Sequence, residues 1–364
     1  MIPKIVAAGI DTLYVGFNIT KWLVDDSAFN RLADAKGSAG DKLFGGKGVT
    51  IDWGGREFNL SPRGTKGYEF VMSNDDERLC IARVCQGGRV FPEVFAELNS
   101  SFLWGKGYDK AHKETRRFID GFAEVKNERI NRVDLCADVA MKLPRLDVKN
   151  EIVTRAQNKR DYFEVEHYTH GQRDTGYRFG SGKVMARIYD KTHEMKKSKK
   201  EWFGDIWIPG GWDGKSVVTR FEFQCRRPFL KEYQINSYDD MIQHMPDVWR
   251  YLTEKWIVLK KPNPDDSNRR RWPTSESWEL VQRAGSRFGQ CLGVQRWKQK
   301  EVRIEPLMAQ LKGIIASEVA IDSKIRGEYF AVDRIKSEIS KYLESEELHN
   351  KVFEKRGRYG NLSN

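Results

Sequence analysis

At 364 residues, 39% of them hydrophobic and 32% charged, the chain can form one large domain plus a smaller one and is polar enough for a soluble globular protein. No run of 18 apolar residues exists, and the first residues lack a charged segment followed by an apolar one. The expectation is therefore a cytoplasmic protein that neither spans a membrane nor is exported. A net charge of +11 points to polyanionic partners, and eleven tryptophans, most of them core residues, add rings suited to unstacked bases.

In chain order, residues 5–17 read as a first strand, followed by a short helix around Lys21–Ala35. Segments Gly48–Trp53, Glu57–Leu60, Tyr68–Met72 and Leu79–Val84 read as an antiparallel meander, turning at Gly54-Gly55 and Asn74-Asp75-Asp76. Pro92 is placed to open a helix through Leu98 and Phe102, and a second helix is expected over Lys110–Val125. The strand of Asp134 comes next, then a helix near Val148–Ala156 and strand-like residues 162–168. A hairpin leads into Tyr189, an aromatic-glycine loop covers Trp202–Trp212, and the strand of Glu222 precedes a helix near Tyr238–Leu259. Residues 263–274, rich in proline, asparagine and charge, have linker composition, and the pattern beyond them is helical. The fold class expected is α+β, a largely antiparallel central sheet with flanking helices and then a helical C-terminal region. The division expected is a body over 1–262, a linker over 263–274 and a helical domain over 275–364.

Five cysteines are odd in number and lack zinc-ligand spacing; Cys136 and Cys225 fall inside predicted strands as small buried fillers. Reduced thiols fit a cytoplasmic setting.

Three strands carry unusual polar faces. In Arg132-Val-Asp-Leu-Cys-Ala-Asp138 the polar set is Arg132, Asp134 and Asp138; in Arg220-Phe-Glu-Phe-Gln-Cys-Arg226 it is Arg220, Glu222, Gln224 and Arg226. In Val184-Met-Ala-Arg-Ile-Tyr-Asp-Lys191 it is Arg187, Tyr189 and Lys191. Carboxylates in mid-strand are costly to desolvate unless paired or bound to a cation. Two readings follow. One is a ladder of cross-strand ion pairs on a solvent-facing sheet. The other is a hard-cation site in which Asp134, Glu222 and Asp138 offer oxygens to Mg²⁺ or Mn²⁺. A phenol of ordinary pKa, about 10, is a poor nucleophile at neutral pH, and Arg187 and Lys191 beside Tyr189 would favour its phenolate.

The same three segments, with Glu194 after the second, resemble the replication initiation factor family. These are the trans-acting Rep proteins of rolling-circle plasmids, with relatives in filamentous phages and integrative elements; the likeness covers about residues 125–230. The resemblance implies a site-specific DNA nickase that starts rolling-circle replication by nicking and rejoining single-stranded DNA through a covalent 5′-phosphotyrosine. Tyr189 matches its nucleophile, Asp134 and Glu222 match its metal-binding acids, and Asp138 and Glu194 match more loosely. Arg187, Lys191 and Arg220 would neutralise the phosphate. Implied partners are the origin as duplex or hairpin, the single-stranded nick site, a host helicase and a second copy of the chain. A conjugative relaxase would use the same chemistry, whereas a repressor or copy-control protein would use only the basic surface. A hydrolytic nuclease would leave no protein-linked product.

His167-Tyr-Thr-His170 lacks the spacing of the two-histidine nickases. Gly180-Ser-Gly-Lys183 has Tyr177 where a phosphate loop needs glycine and Val184 where it needs Ser or Thr, so it reads as the turn of the Tyr189 hairpin. Phe44-Gly-Gly-Lys-Gly48 fails the same test. Lys196–Lys200 and Arg269–Arg271 read as solvated charge available to phosphates.

Overall fold

The computed structural model describes residues 2–39, 48–84, 91–147, 151–153, 165–170, 173–292, 304–349 and 351–352. It divides into two compact units, 1–297 and 298–364. The first is organised by an 11-stranded sheet in which every neighbouring pair is antiparallel. Its order is β2 (Val49–Trp53), β3 (Arg56–Leu60), β4 (Phe70–Ser73), β5 (Glu77–Ile81), β6 (Val94–Leu98), β1 (Lys4–Trp22), β7 (Ala123–Ala140), β12 (Val218–Arg226), β11 (Val184–Asp190), β10 (Arg173–Phe179), β9 (Val165–His170). The expected α+β architecture is what the chain adopts.

Alternation decides which face goes inward. Leu13, Val15 and Phe17 of β1, Val133, Leu135, Ala137 and Val139 of β7, and Phe221 and Phe223 of β12 enter one large core. That core is closed by α1 (Asp26–Ala39), α3 (Tyr108–Asp120) and α7 (Tyr238–Tyr251). Each such side chain contributes roughly 1.5–3 kcal/mol by leaving water, so a one-residue slip that turned it outward is strongly disfavoured. The opposite face carries a smaller core of Val6, Ala7, Met195, Phe203, Trp207 and Val218, and beside it the polar residues of the three central strands.

Several expectations need correction. Residues 94–98 form β6 and not a helix, because Val94, Ala96 and Leu98 alternate into the core between β5 and β1. The helix begins only at α2 (Ser100–Lys106). Ile152–Val153 (β8) pairs with Val258–Leu259 (β13) in a two-stranded sheet, so no helix runs through 152–153 and α7 does not reach Leu259. Residues 148–150, 154–164 and Phe44–Lys47 lie outside the described residues. The expected boundary near 262 also shifts: α8 (Glu276–Arg283) and the turn that follows bury Trp278, Val281, Ala284 and Phe288 in the large core.

The second unit is a helical pair, α9 (Ile304–Arg326) and α10 (Glu328–Leu343), joined at Gly327 with φ +85°. Arg334 ties them by reaching Asp322 at 2.8 Å and Glu318 at 3.3 Å. Among the described residues no helix is long and apolar enough to cross a membrane.

Candidate active site

The hairpin β10–β11 presents Tyr189. Its turn at 180–183 begins with Gly180 at φ +73°, a conformation that only glycine adopts freely. Gly176 stands opposite Tyr189, and a Cβ there would lie 2.7 Å from the tyrosine Cβ. Glycine makes the room in which the ring sits. The strand ends at Asp190, whose carboxylate accepts from the His193 backbone N–H and caps α4 (Lys191–Lys197). Lys191 is thus the first residue of a helix, yet it still borders the tyrosine.

Cross-strand register assembles two linked clusters. Arg187 pairs with Glu222, and Tyr189 with Arg220, across β11–β12; Glu222 lies beside Cys136, and Gln224 beside Asp134, across β12–β7. In the first cluster the Tyr189 hydroxyl donates to Glu222 Oε2 at 3.0 Å, and Arg187 Nη2 donates to Glu222 Oε1. Arg132 grips Asp134 with Nε and Nη2 at 2.8 and 2.5 Å, and Arg187 Nη2 stands 3.5 Å from Asp134. In the second cluster Arg220 donates twice to Asp138, at 2.6 and 2.7 Å, and once to Asp11 at 2.5 Å.

Three residues that sequence reasoning missed complete the second cluster. Asp11 reaches Arg220 because the β1–β7 register shifts between Ile10 and Thr12, a bulge that re-aims one side chain. Trp104 donates to Asp11 at 3.2 Å and Trp207 to Asp138 at 2.8 Å. The ring of Phe203 lies 4.3 Å from Lys191 Nζ and 4.6 Å from the Arg220 guanidinium carbon. The aromatic insert of 201–214 therefore backs Lys191, Arg220 and Asp138 from the buried side; tryptophan spacing in the sequence marks the insert but not its target.

A cavity of about 650 Å³ opens here, with Asp11, Arg132, Arg187, Tyr189, Lys191 and Glu222 on its walls. Arg187 keeps 38% of its side chain exposed, and its Nε has no partner. Arg220 does not reach the cavity. It is fully buried and closed off by Asp138 and Asp11, so it acts on Tyr189 through its field alone.

Burial, and then the Glu222 carboxylate, push the Tyr189 phenol well above its ordinary value despite Arg220. The expected phenolate, favoured by flanking cations, is thus corrected: burial first, and then the acid that holds the hydroxyl, work against it. Burial and the charge of Glu222 push Asp134 up to about 7 against the pull of Arg132 and Arg187. Burial works to raise Asp11, but Arg220, Lys191 and Lys200 hold it below the usual carboxylate range. Burial and the nearby Arg220 lower Lys191, which Glu194 steadies at 2.5 Å.

The polar faces are neither a solvent-side ladder nor a simple cation cage. Asp134, Asp138 and Glu222 are buried, which removes the solvated ladder. Asp138, four residues beyond Asp134 on one strand, is about 13 Å along. Each acid already meets a guanidinium, and among the described residues no three His, Cys, Asp or Glu side chains converge as metal ligands. The donors present do not fit a divalent ion in this arrangement, and no step below passes through one.

No family model matches the chain, and no curated protein is similar to it. Among solved structures it is similar to the rolling circle replication initiator protein from Geobacillus stearothermophilus, at 16% identity and a TM-score of 0.43, over 81% of this chain and all of the other. At that level of likeness, function has to be argued from the site itself.

Proposed function

We propose that the chain is a DNA nicking and closing enzyme of the rolling-circle initiator type, with Tyr189 as its nucleophile. The observation that carries this reading is the Tyr189 hydroxyl held on Glu222 at the wall of a cation-lined cavity. As the phenol oxygen bonds to phosphorus, its proton passes to Glu222, the general base. The bond from phosphorus to O3′ breaks, and Lys191, which holds its proton less tightly than usual, protonates the departing oxygen. The products are a 5′-phosphotyrosine and a free 3′-hydroxyl. No water is consumed, so the ester's energy is kept for resealing. Arg187, which lines the cavity and keeps 38% of its side chain exposed, meets the charge that builds on the phosphate.

The test is a denaturing gel of the protein with end-labelled single-stranded origin DNA. Wild type is expected to form a protein-linked product and Tyr189→Phe none. An adduct formed equally by both would remove Tyr189 from the chemistry, and multiple turnovers without an adduct would replace transfer by hydrolysis. Because arginines already close the acids, adduct formation is expected to persist in EDTA. Its complete loss there would mean that an ion displaces Arg187 from between Asp134 and Glu222.

A further inference from the structure

Beside the tyrosine cavity lies a second hollow of about 530 Å³, and Arg132 borders both. Its floor is the same sheet face, reached along β12 from Glu222 to Arg226, about 13 Å by strand rise. Four rings, Tyr14, Tyr68, Phe91 and Phe95, stand in it. Phe91 is 42% exposed, Tyr14 meets Phe95 edge-on at 5.8 Å, and the Arg132 guanidinium lies 4.8 Å from the Tyr14 ring. Six cations line the hollow against one carboxylate, Glu97, which is already paired with Arg78 at 2.7 Å.

Four of those cations, Lys66, Arg129, Arg226 and Arg227, take part in no ion pair among the described residues. Arg227 donates only to the carbonyls of Ile130 and Ile235 and to the Asn236 amide. Burial and the neighbouring Arg129 lower its pKa against the weaker pull of Asp240. Arg129 takes part in no ion pair among the described residues, and its buried Nε has no partner. Like charges kept together without counter-ions cost stability unless something anionic offsets them. Rings interleaved with unpaired cations match a chain of stacked bases and phosphates.

We propose that this hollow holds the single-stranded DNA next to the scissile phosphate, with bases on Phe91 and Tyr14 and phosphates on Arg129 and Arg227. The proposal rests on the nicking reading for its ligand and adds a subsite to it. Stacking on a ring is indifferent to sequence, so the subsite grips the strand while recognition happens elsewhere.

Fluorescence anisotropy in a Tyr189→Phe background, which binds without reacting, tests it with dye-labelled dT20 and an abasic 20-mer. Phe91→Ala is expected to weaken dT20 binding about ten-fold and leave abasic binding unchanged. Arg129→Gln is expected to weaken both alike and lower the log–log salt slope by about one. Unchanged dT20 affinity in Phe91→Ala, or equal losses on both oligomers, overturns the stacking subsite, as does a parent that fails to bind dT20. If these results hold while wild type forms no adduct, the nickase reading fails and the single-strand groove stands.

Discussion

At the scale of single residues, Glu222 has two opposed effects on Tyr189. Its charge makes the phenol harder to ionise, and its oxygen, 3.0 Å away, is the acceptor to which the proposed mechanism sends the proton. Glu222→Gln separates them. The phenol's pKa falls because the neighbouring charge is gone, but nothing remains to take the proton during attack. At neutral pH the rate of adduct formation is expected to fall by about 10²–10⁴, the usual worth of a general base. Above neutrality it should climb about ten-fold per pH unit, since phenolate formed in solution then does the work. Wild type, with its base in place, should rise far less steeply. Single-turnover rates from pH 6 to 10 measure this, and parallel profiles for the two proteins would exclude Glu222 as the base.

At the scale of elements, the site depends on what the 201–214 segment brings to the sheet. α5 (Phe203–Trp207) buries Phe203 and Trp207 completely, and Gly210 passes so close to β1 that a Cβ would lie 1.9 Å from the Val6 carbonyl. Trp207→Phe keeps most of the ring and loses the donor to Asp138. A hydrogen bond to a charged group is worth roughly 1.5–3 kcal/mol, and that loss is expected in urea unfolding. An unchanged midpoint would show that Arg220 alone suffices to hold Asp138. The same elements show what was legible beforehand. β7, β11 and β12 declared themselves because period-two alternation fixes a face from local sequence, so Asp134, Tyr189 and Glu222 were placed together correctly. Asp11 escaped because a bulge breaks that period, and Trp207 because its partner is 69 residues away in sequence. Val94–Leu98 misled because five apolar-rich residues after a proline fit either a helix start or a buried strand, and only the neighbours β5 and β1 decide.

At the scale of the whole chain, composition put a boundary at the proline-rich stretch near 262, whereas packing carries the first unit on through Phe288, and the division between units falls after Trp297. The reason is physical. Trp278 lies 5.9 Å from Phe221 and donates to the Thr253 carbonyl at 2.7 Å, and Trp249 donates to the Val281 carbonyl at 3.0 Å and packs 5.1 Å from Phe288. A polar connector can loop over the surface and return its chain to the same core, and nothing in its own residues announces the return. Removing residues 263–297 would strip Trp278, Val281 and Phe288 from behind β12. By the usual cost of emptying such positions that is on the order of 8 kcal/mol, comparable with the total stability of an ordinary domain. A chain ended at 262 is therefore expected to lose its cooperative thermal transition, while one ended at Trp297 keeps it. The shorter form should form no tyrosine adduct even though every residue of the cavity is present, because β12 carries Glu222 on one face and Phe221 and Phe223 on the other. A 1–262 chain that melted like the full protein would show instead that the sheet holds the site without the helix behind it.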